Sequence, residues 1–408
     1  MLEDLRRQFG AQVRPVADGQ GVVAAVAPRD LEQARAVVAW AERGGHQLVP
    51  AGAGTKRHWT SPPHGPAVAL DLRGLSRVVE YSPEDMTITV EAGITLGALQ
   101  EHLARNGQRL TLDPPHPDRA TIGGILAAND SGPIRFGFGT ARDIVIGMSM
   151  IQPDGEIIRS GGKVVKNVAG YDLHKLYIGS FGTLGPIATV TFRLRPVPEA
   201  RGLVVLAPAD AVEAEQMIAT TLAGRTRPVM IELLNARMAA TVGLPARLTL
   251  VIGFEDNAEA VRWQCATLVQ ELGGAPLGPA EGRRVYQALC EAAGADVATS
   301  FKAAVPGSET AGFVQRADRR PMRLIARAGN GIVYGLLEEP MPDEAWRDLE
   351  ERTAACGGSL HLRGRLPGAI LPRFGRRRGD AWLSEDIQRA FDPQATFAPE
   401  RLGFAAVS

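Results

Sequence analysis

Six residues, Pro50, Ala51, Gly52, Ala53, Gly54 and Thr55, run into Lys56 and Arg57 after an apolar stretch. A Gly-x-Gly turn leaves backbone N–H groups unscreened by any Cβ, and such groups can surround an anion, phosphate above all. Spacing excludes two well-known phosphate loops. A Walker loop needs Gly-x4-Gly-Lys-Ser/Thr, whereas Thr55 stands between Gly54 and Lys56 here. A Rossmann fingerprint needs a third Gly where Arg57 stands, and the following "HWTSPPHGP" cannot open a helix. A bare Gly-x-Gly turn remains, and alone such a turn is more often simply a tight turn.

A second group is His361, Arg363 and Arg365 in "SLHLRGRL". Strand alternation puts these three on one face and Leu360, Leu362 and Gly364 on the other. The basic face reads either as the solvent side of the strand, the commoner arrangement, or as a place to bind a carboxylate. "RFGRRR" (373–378) reads as a solvated loop, with docking to an acidic partner as the alternative. Cys265, Cys290 and Cys356 lie far apart without a Cys-x2-Cys pair, so neither a disulfide framework nor an iron–sulfur or zinc site is expected.

The elements that must position these residues follow from periodicity. With 408 residues the chain exceeds one ordinary core. "GVVAAVAP", a helix opened by Asp30 with Gln33 as capping partner and closed at Gly44-Gly45, and a strand into Pro50 read as one β-α-β unit. Strands at about 67–72, 77–81 and 86–92, a helix capped by Thr95, the loop-to-helix run "ATIGGILAANDSG" and a hairpin around Pro153-Asp154-Gly155 follow. We place a boundary near 199. Beyond it the pattern is β-α-β-β-α, then β-β-α-β, two similar halves of an antiparallel cap over 200–380; the tail 381–408 is a helix with an extended end. The 45 basic and 45 acidic residues cancel, so no global field favours nucleic acid. No apolar run reaches a membrane span, and the charged N-terminus is unlike a signal peptide, so the expected location is cytoplasmic.

Glycine turns recur between 50 and 190: "AGAGT", "TIGG", "NDSG", "FGFGTARD", "GYDL" and "GSFGTLGPI". With "FDPQATFAPERL" near the end, this run resembles the vanillyl-alcohol oxidase type flavoproteins, and within them the small FAD-binding subunits of bacterial glycolate oxidase; Ala398 departs from the Asn usual before that Pro. The resemblance implies an α+β fold with a two-part FAD-binding domain (1–199, the tail packing back) and a ferredoxin-like cap. It places the FAD pyrophosphate on Pro50 to Thr55, and the flavin and ribityl chain along Pro114, Pro115, Thr121, Gly123 and Gly124. Ser131 and Gly132 would lie near the phosphates, and Asp143, Ile144 and Ile187 near the adenosine end. It implies oxidation of a small 2-hydroxy acid, glycolate or D-lactate. The implied partners are a larger flavin-binding catalytic subunit and an iron–sulfur subunit, through which alone a membrane would be reached.

In relatives that bind flavin covalently a His or Cys stands near the Gly-rich loop; Thr55 stands there in this chain, so dissociable FAD is expected. The His-rich metal motif of related 2-hydroxy-acid dehydrogenases has no counterpart, so no metal is expected. The chain is then either catalytic with its own substrate or a flavin relay whose catalysis sits in the larger subunit, and the missing metal motif favours the relay. A stand-alone flavoenzyme of the same fold on another substrate is the alternative.

Overall fold

The computed structural model describes residues 1–16, 21–162, 171–295, 297, 299–339, 341–364, 373–375, 379 and 381–403. Arg365 and Arg376 to Arg378 of the basic motifs lie outside them.

Strand Gln47–Ala51 lies parallel to Ala67–Asp71, as does Val22–Val26 on its other side. The intervening helix Leu31–Arg43 starts where Asp30 accepts a hydrogen bond from the Gln33 amide (2.8 Å). The return bond from Gln33 falls on the Arg29 amide (2.9 Å), one residue before the position a strict capping box uses. Its Ala34, Val37, Val38 and Ala41 pack on the sheet with Leu48, Val68 and Leu70. The Gly-rich turn therefore leaves the carboxyl end of a buried parallel strand, where open α/β sheets present ligand crevices.

A five-stranded antiparallel sheet follows in the spatial order Val78–Ser82, Thr87–Glu91, Ile187–Arg193, Val145–Ile151, Ile157–Gly161. Helices Leu96–Ala104 and Ile122–Ala128 each start on a threonine, Thr95 and Thr121, whose hydroxyl accepts from the third residue on. The chain's end folds back onto the first sheet. The Leu48 amide donates to Thr396 O (2.7 Å), Asp392 accepts from the Thr396 and Phe397 amides, and Phe397 is buried beside Leu48.

Residues 200–364 contain, among the described residues, an antiparallel eight-stranded sheet ordered 275–276, 200–206, 249–256, 230–234, 323–327, 332–337, 299–304, 359–364. Helices 211–223, 258–272, 310–317 and 343–355 bury one face, on which Leu360 and Leu362 lie. The sequence reading of the second half as β-β-α-β omitted the helix Pro279–Ala292, the strand Thr299–Ala304 and the helix Thr310–Ala317. The opposite face looks at the first 199 residues, and the contacts that join the two parts include three hydrogen bonds and the Arg109–Glu255 ion pair. His361 Nε2 bonds Trp59 O at 2.7 Å, the Tyr286 hydroxyl donates to Asp113 at 2.9 Å, and His116 Nε2 meets Gly294 O at 2.8 Å.

Candidate flavin and carboxylate site

The turn 50–55 walls a crevice completed by Thr121, Gly124, Ala127, Phe181 and Arg401. An adjoining part adds Ala92, Gly123, Gly182, Gly185 and Ile187. Gly54 sits at φ +75°, a conformation side chains rarely adopt, and a Cβ built there would meet nothing within 4 Å. That free space beside exposed backbone is what a phosphate approaching the N–H groups needs. Gly52 has a different role: its Cβ would stand 2.1 Å from Thr121 Oγ1, so its absence lets the turn seat against the start of helix Ile122–Ala128. Three cations line the crevice, Lys56, Arg57 and Arg401. Lys56 is buried and pairs with Asp130 (3.2 Å). Arg401 reaches in from the tail, donating to Phe181 O (3.2 Å) and Thr60 Oγ1 (3.0 Å), and burial pushes it down to about 10.

The structure gathers Pro50, Ala51, Gly52, Ala53, Gly54, Thr55, Thr121, Gly123, Gly124 and Ile187 round this crevice. Other expected positions lie elsewhere. Asp143 closes a capping box on Thr140 (2.7 Å), and Ile144 is buried in the neighbouring core. Pro114 lines a groove between the two parts of the chain, and Pro115 packs on Gly294. Ser131 Oγ receives Arg135 Nη1 (3.4 Å), and Gly132 abuts Asp113 so tightly that a Cβ would fall 1.9 Å from Asp113 O.

The cap face across from the crevice is cationic. Register sets Lys302 directly opposite Tyr334 on one side and His361 on the other, with Arg363 two residues along on the same face. Arg327 and Glu232 pair across the next strands, side chains 2.6 Å apart and nearly inaccessible. The solvent-side reading of His361 and Arg363 is thus corrected: Arg363 is buried and His361 half-buried against the first part of the chain. Arg363 lies 3.4 Å over the Trp59 ring. His361 stacks on Phe374 at 4.3 Å, and burial, then the charge of Arg363, holds its pKa well below the usual histidine range. The neutral ring must therefore donate through Nε2 to the Trp59 carbonyl. Burial, then Arg363 and Arg135, push Lys302 down to about 7. Burial likewise pushes Glu232 up to about 7 despite Arg327.

Five cations, Lys56, Arg135, Lys302, Arg327 and Arg363, thus share this interior with two carboxylates, Asp130 and Glu232; the Asp113 carboxyl, its pKa raised by burial, adds repulsion on Glu232. Arg327 Nε and Nη2, Arg363 Nε and Arg135 Nε are buried without a hydrogen-bond partner among the described residues. Unmet guanidinium donors in a buried place are costly, and a carboxylate satisfies them in pairs. Sequence reading found Arg363 but not Lys302, Arg327 or Tyr334. The local signal is weak: Ser300 and Lys302 alternate in "TSFKAA", but Tyr334 is the one polar side chain of "IVYGLL".

Residues 22–161 match the family model described as FAD binding domain. The chain carries an FAD binding domain. The crevice fits the cofactor, since open backbone at Gly54, with Lys56 and Arg401 beside it, suits a pyrophosphate. FAD, when bound, supplies acceptance of two electrons. The chain is 29% identical over 240 residues to glycolate oxidase subunit GlcD of Bacillus subtilis (strain 168), covering 57% of this chain and 51% of that protein. It is 40% identical over 132 residues to glycolate oxidase subunit GlcE of Escherichia coli (strain K12), 32% of this chain and 38% of that one. A D-lactate dehydrogenase of Archaeoglobus fulgidus is 28% identical over 373 residues, 84% of this chain and 81% of that protein. The chain spans about half or less of the two glycolate oxidase subunits. Alkyldihydroxyacetonephosphate synthase shares the fold: TM-score 0.70, 17% identity, 98% of this chain and 85% of that one. That likeness bears out the α+β architecture of an FAD-binding part with an antiparallel cap.

No His or Cys lines either part of the crevice among the described residues. The flavin is therefore expected to leave with the supernatant when the protein is precipitated with acid. A yellow pellet would show a covalent bond instead.

Proposed function

We propose that this chain binds FAD in the crevice at Gly54 and oxidises a small 2-hydroxy acid on the cationic face opposite. The unmet guanidinium N–H groups of Arg327, Arg363 and Arg135 carry this reading. In it Arg363 and Arg327 hold the carboxylate, Trp59 stacked on Arg363 fixes that guanidinium and excludes water, and Lys302 Nζ takes the hydroxyl proton. A lysine poised near 7 is neutral in a useful fraction at neutral pH, which a proton acceptor requires. Relatives named glycolate oxidase subunits, D-lactate dehydrogenase and D-2-hydroxyglutarate dehydrogenase support the substrate class. The names GlcD and GlcE also support a place in a complex, with a larger flavin subunit and an iron–sulfur subunit taking the electrons onward. The built cation site favours a chain with its own substrate over a relay. An FAD-dependent oxidoreductase working alone on another substrate is the second reading.

Oxalate, a dicarboxylate that cannot be oxidised at a Cα–H, tests the site by binding alone. As pH rises through about 7, Lys302 loses its positive charge and Glu232 gains a negative one, so both steps weaken anion binding. The oxalate Kd, read from the shift of the flavin spectrum, should rise at least about tenfold from a unit below that pH to a unit above it. A flat Kd, or no oxalate binding at any pH, would remove the carboxylate site.

A further inference from the structure

On the outer side of the cap sheet, away from the FAD crevice, helices Thr310–Ala317 and Asp343–Ala355 enclose a cavity of about 370 Å³. Four guanidinium groups line it, those of Arg316, Arg319, Arg320 and Arg352, and the single lining carboxylate is Asp348. Asp348 is shared by Arg352 (2.6 Å) and Arg320 (3.5 Å), and Arg316 reaches Glu309 at 3.4 Å. Arg319 forms no ion pair among the described residues. Even counting Glu309, positive charges exceed negative ones by two. Phe313, Met322, Met341 and Leu349 line the floor beneath the arginines; they are side chains of the cap's core, each less than a tenth exposed.

Like charges gathered on one cavity repel, and an anion lodged among them relieves that repulsion. We propose that this cavity is a second ligand site, for an organic phosphate whose anionic end lies among the arginines and whose apolar body rests on Phe313, Met322 and Leu349. Guanidinium forks match phosphate oxygens in pairs, and no flavin-lining residue takes part. The inference does not rest on the oxidation of a 2-hydroxy acid.

Calorimetric titration of the FAD-loaded protein with 1-naphthyl phosphate tests it, with 1-naphthol and inorganic phosphate as the two halves of the ligand. One 1-naphthyl phosphate should bind per chain, leaving the flavin spectrum unchanged, and each half should bind at least about tenfold more weakly. Adding salt should weaken the phosphate, since the rim is partly exposed. In Arg319→Gln/Arg320→Gln, both surface changes, affinity should fall at least about tenfold with the melting temperature preserved. No saturable binding of 1-naphthyl phosphate, equal affinity for 1-naphthol, or undiminished affinity in the double variant would overturn the proposal. A matching displacement of FAD would overturn it too, by placing the probe in the flavin crevice.

Discussion

Gly54→Val is expected to abolish FAD binding while leaving the fold intact. The backbone at Gly54 has φ +75°, and a Cβ would enter space empty of protein. The substitution therefore creates no internal clash. It strains the turn by about 1 kcal/mol or more and fills the space through which phosphate would approach the N–H groups. Gly107→Val separates the two effects: φ is +63°, the surroundings are equally open, and the site lies on the turn after helix Leu96–Ala104, outside the crevice. Titration of FAD into both apo variants by flavin fluorescence should show at least about a hundredfold loss for Gly54→Val and none for Gly107→Val. Equal affinities would mean that the pyrophosphate is held elsewhere.

Arg363→Met is expected to raise the Kd for D-lactate or oxalate by about a hundredfold while FAD affinity stays within about threefold, since losing one partner of a buried charged pair costs about 2–5 kcal/mol. Met retains the apolar contact with Trp59 and removes the donors. Arg363 is buried on the cap, across from the crevice that Gly54 and Gly124 line, so cofactor and substrate effects should come apart. Ligand-induced change in the flavin spectrum reads both constants on one sample. Unchanged affinity for the acids would assign the unmet guanidinium groups to structure alone.

The sequence made the backbone of the first site legible and the side chains of the second largely illegible. A turn of Pro50 to Thr55 after an apolar strand is a local signal, and positive φ at Gly54 is what its lack of a Cβ permits. Thr95 and Asp30 announced their helices through capping, again within a few residues. The cation cluster has no such locality. Lys302, Tyr334 and His361 come together only because strands 299–304, 332–337 and 359–364 pair in one register, and the first of these strands, in "TSFKAAVP", is too short and too small-residued to stand out. Asp143 shows the converse limit. The resemblance placed it near the adenosine end, yet its carboxylate accepts from the Thr140 amide and hydroxyl in a capping box.

The most direct test is anaerobic mixing of the purified, FAD-loaded chain, free of any other subunit, with glycolate and with D-lactate while the flavin absorption is followed. Bleaching by at least one of the two acids, saturating with its concentration and lost in Arg363→Met, is the expected result. A flavin that stays oxidised with both acids, yet is bleached by chemical reductant, would contradict a substrate site in this chain and leave it a carrier of electrons.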